Sequence, residues 1–144
     1  MAVLNLDKLF YPHSVAVIGA SNREGSPGNL VMHNLLHGGF EGPIMPVSSE
    51  EHAISGVLAC PRVEALPETP DLAVVCTSSA LAPTVRALGE RGTRAAILLG
   101  DDIGDAKTRT AVVSEAERIG LRLLGPDCLG LMVPGIGLNA SVAP

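Results

Sequence analysis

The run Gly19-Ala20-Ser21-Asn22-Arg23-Glu24-Gly25-Ser26-Pro27-Gly28 holds the residue types best suited to gripping an anion. Its glycines let the backbone turn sharply and let N–H groups approach a ligand closely. It lies directly ahead of an apolar stretch with helical spacing. A helix N-terminus presents unpaired N–H groups and a partial positive charge. Ser21, Asn22 and Ser26 add neutral hydrogen-bonding groups, and Arg23 adds a cation. Such a loop can cradle a diphosphate. The same residues also suit a tight strand-to-helix turn with no ligand. The pattern is neither G-x-G-x-x-G nor G-x-x-x-x-G-K-[ST], and the missing lysine argues against a Walker-type triphosphatase.

Four further segments carry chemistry-bearing groups. In Pro46-Val47-Ser48-Ser49-Glu50-Glu51, a glutamate stands about 20 residues past the glycines, where an acidic side chain can hold a ribose diol. Adjacent glutamates equally suit a solvated turn. The hydroxyls of Cys76-Thr77-Ser78-Ser79 suit a ligand or a helix cap, and Ser79 is expected as the cap. Cys76 reads as a buried strand end, since no histidine shares its segment. The carboxylates of Gly100-Asp101-Asp102-Ile103-Gly104 suit acid–base work, Mg²⁺ binding or the start of a helix. Gly125-Pro126-Asp127-Cys128-Leu129-Gly130 reads as a rigid turn with one carboxylate and one thiol. His33 and His37 share a helix face, but no third metal ligand is evident. No Ser-His-Asp or Cys-His set can be assembled, so no catalytic residue and no metal site is assigned.

The elements that must position these groups alternate along the chain. Val15-Ala16-Val17-Ile18 is a short apolar run of the kind found in strands buried on both faces. Residues 28–37 read as a helix stopped by Gly38-Gly39. Residues 43–47 read as a second strand, limited by two prolines. Leu72-Ala73-Val74-Val75-Cys76 and Ala95-Ala96-Ile97-Leu98-Leu99 read as strands, and Arg122-Leu123-Leu124 as a short fifth one. Residues 80–91 and 105–119 read as helices, the second with Asp105 as N-cap. The segment 61–70 reads as a connection with at most one helical turn. This rhythm predicts an α/β fold: a mainly parallel five-stranded sheet, doubly wound, with helices on both faces as a three-layer sandwich. Past Leu131 the chain looks like a linker or the start of a missing following domain. The expected division is therefore 1–131 and 132–144.

Composition agrees with one folded domain. The chain has 144 residues, 47% hydrophobic and 17% charged. A chain of this size buries roughly two-thirds of its unfolded surface. Only Phe10, Tyr11 and Phe40 are aromatic, so the core must be aliphatic. A net charge of −5 leaves little material for a basic face, which excludes wholesale nucleic-acid binding. The three cysteines form no CxxC pair and read as reduced thiols. No apolar run approaches the ~20 residues that span a bilayer. A cytoplasmic protein without nucleic-acid or membrane partners is expected.

The run Leu9-Phe10-Tyr11-Pro12-His13-Ser14-Val15-Ala16-Val17-Ile18-Gly19-Ala20-Ser21 resembles the start of NDP-forming acyl-CoA synthetases. That group includes ADP-forming acetyl-CoA synthetases and, more distantly, the alpha subunit of succinyl-CoA synthetase. The same domain also occurs fused to protein acetyltransferases. Gly25-Ser26-Pro27-Gly28, Asn34-Leu35 with Gly39-Phe40-Glu41-Gly42, Pro46-Val47, Leu66-Pro67 with Pro70-Asp71-Leu72-Ala73-Val74, and the 125–130 turn extend the resemblance to residues 9–139. It implies a Rossmann-like domain that binds CoA or an acyl-CoA thioester. By resemblance, the phosphates lie at Gly19, Ala20, Ser21, Arg23, Gly25, Ser26 and Gly28. The adenosine end lies by Pro46, Val47 and Ser48. Cys76, Thr77, Ser78, Leu99, Gly100 and Asp101 flank the ligand, and Asp127 and Cys128 close the thiol end. Complete family enzymes pass phosphate through a phosphohistidine on a following domain. The resemblance therefore implies a chain that binds and does not itself catalyse, with further domains or subunits, or a homo-oligomer, as partners.

The sequence departs from the family where charge matters. The family's Pro-Val-Asn-Pro-Lys is Pro46-Val47-Ser48-Ser49-Glu50 here, its Pro-Ala is Thr77-Ser78, its Gly-Phe is Asp101-Asp102, and its last-turn Asn is Asp127. Added negative charge around one cleft opposes an anionic coenzyme. Two other functions compete on these grounds. One is an NAD-type dinucleotide-binding or sensing domain with Glu50 or Glu51 on a ribose. The other is a degenerate, ligand-free regulatory domain.

Overall fold

Val15, Ala16, Val17 and Ile18 are all buried, which requires cover on both faces of the strand they form. The computed structural model describes residues 5–77, 79–99 and 106–143, with the Asp127 side chain excepted. In chain order the elements are α1 (Leu6–Phe10), β1 (Val15–Ile18), α2 (Pro27–His37), β2 (Ile44–Val47), β3 (Ala53–Ile54) and β4 (Val57–Leu58). A 3-10 turn (Val63–Ala65), β5 (Leu72–Val75), α3 (Leu81–Arg91), β6 (Ala95–Leu99), α4 (Ala106–Ile119) and β7 (Arg122–Cys128) follow. Then come β8 (Gly130–Val133), a 3-10 turn (Pro134–Ile136) and β9 (Leu138–Ser141).

Five strands form one sheet in the order β2-β1-β5-β6-β7, every neighbour pair parallel. Period-2 alternation sorts their side chains onto two faces. Val15, Val17, Leu72, Val74 and Ile97 face Val31 and Leu35 of α2. Ala16, Ile18, Ala73, Val75 and Leu98 face Val85 and Leu88 of α3 and Val112 and Ala116 of α4. This is the doubly wound, three-layer α/β architecture expected from the sequence. The chain leaves β1 for β2 on one side and returns through β5 on the other. The order therefore reverses between β1 and β5.

Pro46 is tolerated because β2 lies at the sheet edge. Its carbonyl faces outward and accepts the Cys60 N–H at 3.0 Å, and the Ser48 N–H returns a bond of 2.9 Å to the Cys60 carbonyl.

Several elements differ from their sequence reading. The Ser55-Gly56 turn makes a hairpin of β3 and β4, with φ of 51° and 82° at its two central residues. The fifth strand runs past Leu124 to Cys128, pairing Leu99 with Cys128 after a register shift. Gly125 permits this, because a Cβ there would press on the Leu98 carbonyl. Residues 130–141 form an antiparallel hairpin against α2, so the stretch past Leu131, read as a linker or the start of a following domain, packs on this one as far as Ser141. Leu138 and Ala140 are buried in the α2 face of the core, and Asn34 Nδ2 donates to the Ser141 and Ala143 carbonyls at 2.9 Å. The proposed N-cap Asp105 lies outside the described residues.

Thr93 is fully buried at the entry to β6, and its hydroxyl has no hydrogen-bond partner among the described residues. A buried, unpaired hydroxyl costs about 1–3 kcal/mol. Thr93→Val is expected to raise stability by about 1 kcal/mol, a few degrees in melting temperature. An unchanged or lower melting temperature in calorimetry would show that the hydroxyl has found a partner.

Candidate functional site

Open α/β sheets bind ligands beyond the carboxyl ends of their strands, where the order reverses. A cleft of about 890 Å³ lies at that place. The 19–28 loop forms one wall, the 47–51 turn after β2 a second, and the end of β5 with the first turn of α3 a third. The volume is in the range of small-molecule and cofactor sites.

The loop is built from its ends. Gly19 and Ala20 donate their N–H groups to the Val47 carbonyl at 3.1 and 3.2 Å, which anchors the loop to β2. Ser26 caps α2: its hydroxyl accepts the Asn29 N–H at 3.4 Å and donates to the Arg23 carbonyl at 2.7 Å. Pro27 follows at the first helical position, where no N–H is needed. Within the loop, the Arg23 N–H is taken by Ser21 Oγ at 2.9 Å, and the Ser26 N–H by the Arg23 carbonyl. The N–H groups of Ser21, Glu24, Gly25 and Gly28 have no acceptor among the described residues. Ser21 and Gly28 line the cleft.

Charge is unevenly placed. Arg23 is the one cation lining the cleft among the described residues, and it stands on the loop wall. Glu50 and Glu51 stand on the β2 wall. Ser48 Oγ accepts the N–H groups of both, at 3.3 and 3.2 Å, and so shapes that turn. Glu51 also receives the backbone N–H and the side-chain amide of Asn22. On the third wall, burial pushes the Cys76 thiol up to about 12, so it stays protonated and inert near neutral pH. Thr77 and Ser79 hydroxyls lie 3.0 Å apart. Ser79 does not cap α3; Ala80 occupies the cap position with φ 53° and no side-chain bond.

Residues 13–134 match the family described as CoA binding domain. The chain belongs to this CoA-binding domain family. Acetate–CoA ligase (ADP-forming) I of Archaeoglobus fulgidus is 37% identical over 96% of this chain and 21% of its own length. The alpha subunit of acetate–CoA ligase (ADP-forming) I of Pyrococcus furiosus is 32% identical over 98% of this chain and 33% of the subunit. The dinucleotide-forming acetyl-coenzyme A synthetase 1 of Ca. Korarchaeum cryptofilum, solved with phosphate and ADP, superposes with a TM-score of 0.91 at 29% identity. That match covers 96% of this chain and 31% of the other. The domain thus spans about a fifth to a third of the length of these relatives, and it resembles the N-terminal part of ADP-forming acyl-CoA synthetases.

The fold of this CoA-binding domain gathers Gly19, Ala20, Ser21, Arg23, Ser26, Gly28, Val47, Ser48, Cys76 and Thr77 around the cleft. Gly25 is in the loop but off the wall, and Pro46 is buried in β2, opposite Val17. Leu99 is a core residue at the end of β6, and the Cys128 thiol donates to the Leu98 carbonyl at 3.4 Å. Neither reaches the described cleft. Ser78, Gly100 and Asp101 lie outside the described residues, as does the Asp127 side chain. Residue spacing gave no sign of Pro61 and Thr84, which also line the cleft. Thr84 sits in the first turn of α3, a place visible only once the helix start is known. His33 and His37 stack with ring centroids 4.2 Å apart on the exposed face of α2, and no group of three metal-ligating side chains occurs among the described residues.

Proposed function

We propose that the domain binds CoA or an acyl-CoA thioester across this cleft, with the coenzyme diphosphate against the 19–28 loop. The observation that carries the reading is that Ser21 and Gly28, whose N–H groups have no acceptor among the described residues, line the cleft at the N-terminus of α2 beside Arg23. The adenosine end lies by Val47 and Ser48, and the thiol end extends toward the carboxyl end of β7, which holds Asp127 and Cys128. The acyl-transfer chemistry belongs to other domains or subunits of a synthetase or acyltransferase, and this chain contributes the coenzyme grip. Among the described residues no helix is long and apolar enough to cross a membrane. We place the domain in the cytoplasm, where CoA is available.

A thermal-shift panel with CoA, acetyl-CoA, ADP and NAD tests this. A ligand that binds only the native state at 100 times its Kd adds about 2.7 kcal/mol of stability. CoA and acetyl-CoA are expected to raise the melting temperature, ADP to raise it less and NAD to leave it unchanged. No shift with CoA overturns the proposal. A shift with NAD alone restores the dinucleotide reading.

Gly25 offers a sharper test of the loop. Its φ is +80°, and a side chain there meets nothing within 4 Å. Valine is strained at such an angle whatever the space. Gly25→Val is expected to reshape the loop, abolish the CoA shift and leave the unliganded fold intact. Unchanged CoA affinity would move the phosphates elsewhere.

A further inference from the structure

Asn22 does not line the cleft, yet it ties the glycine loop to the far wall. Its backbone N–H donates to Glu51 Oε1 at 3.2 Å, and its side-chain amide donates to Glu51 Oε2 and, at 2.8 Å, to the Ala53 carbonyl. Its Oδ1 accepts the Ser55 N–H at 2.9 Å. All these partners lie in one segment, the approach to the β3–β4 hairpin and its turn. That hairpin is pinned in turn by Ile54, which is fully buried against the α2 face of the sheet. Rigidity therefore passes from the core through Ile54 and the hairpin to Asn22.

The loop needs this support. Its ends are fixed by Val47 and by the α2 cap, but between them the bonds of Ser21, Arg23 and Ser26 are mostly local. Apart from the strut, a bond of 3.3 Å from Asn29 Nδ2 to the Ser21 carbonyl holds this stretch to the helix. The free N–H groups of Ser21, Glu24 and Gly25 lie on either side of Asn22. We infer that Asn22 and Glu51 form a strut that positions the loop N–H groups for a diphosphate before the ligand arrives. The inference rests on the diphosphate reading above. It gives Glu51 a role distinct from holding a ribose: its carboxylate is engaged by Asn22, whereas Glu50 is not. A preorganised loop binds tighter because less ordering is left to do on binding.

The test compares CoA and ADP with pantetheine, which carries no phosphate, by NMR titration and calorimetry on the same chain. Asn22→Ala changes no charge. It is expected to weaken CoA and ADP by about tenfold, to leave pantetheine within about twofold, and to change the unliganded melting temperature little. Because the amide–carboxylate contact is shared by the two residues, the loss in Asn22→Ala combined with Glu51→Ala is expected to be smaller than the product of the two single losses. Hydrogen exchange supplies a readout without ligand: the Ser55 N–H is expected to exchange faster in Asn22→Ala, and the Asn22 N–H in Glu51→Ala. Three results would each overturn the strut: CoA affinity unchanged in Asn22→Ala, pantetheine weakened equally, or losses that multiply in the double variant. Failure of the unmutated chain to bind either CoA or ADP would instead remove the diphosphate reading, and the strut's role with it.

Discussion

Gly28→Ala is expected to lose about 1–3 kcal/mol of stability and all measurable CoA binding. Propensity alone points the other way, since alanine is favoured over glycine inside a helix by about 1 kcal/mol. Packing decides the sign. Gly28 is buried in the first turn of α2, and a Cβ there would sit well inside 3.0 Å of the Gly19 carbonyl oxygen and 3.0 Å from the Ala20 Cα. Both are backbone atoms anchored to Val47 through the N–H groups of their own residues, so neither can rotate away. The helix must lift off the end of β1, and overpacking of this kind costs about 1–3 kcal/mol or more. The displaced helix also carries the Gly28 N–H away from the cleft. Urea denaturation and titration calorimetry with CoA read the two losses separately. A variant more stable than the parent chain would show that the helix has room to spare there.

Glu50→Lys is expected to bind CoA about tenfold more tightly, with most of the gain absent for dephospho-CoA. Glu50 is exposed on the β2 wall, and its carboxylate has no cation partner among the described residues. The two coenzymes differ only in the ribose 3′-phosphate, so the comparison isolates a charge contact. Solvent screening keeps the effect to about 1–2 kcal/mol, and added salt is expected to shrink it further. The substitution leaves the turn in shape, because Ser48 Oγ holds the residue 50 and 51 amides through the backbone. If the variant binds CoA more weakly, or gains equally for dephospho-CoA, the adenosine end does not lie at this turn.

Much of this fold could be read from short apolar runs, because a strand covered on both faces needs an unbroken stretch such as Val15 to Ile18. The 130–141 hairpin was harder. Its inward residues Leu131, Val133, Leu138 and Ala140 alternate as a strand should. Yet Pro134, Gly135 and Gly137 dominate the stretch and suggest loose chain. The β3–β4 hairpin is so short that its turn outweighs its strands. At the site, the glycine loop was legible because one contiguous stretch carries its conformational demands. The bond from Asn22 to Glu51 spans 29 residues of sequence, and nothing local announces it. The expected helix cap at Ser79 failed for a local reason: Ala80 takes the cap position, and the Ser79 hydroxyl lies 3.0 Å from that of Thr77.

The outer margin of β2 has a bearing on how the molecule behaves in concentrated solution. An exposed strand margin is a template on which a second molecule can zip, the first step toward aggregates. Here Pro46 has no amide hydrogen to offer on that side, while its carbonyl and the Ser48 amide are both satisfied by Cys60. From Pro46 to Ser48 that flank of the sheet is closed to a newcomer by the chain's own backbone.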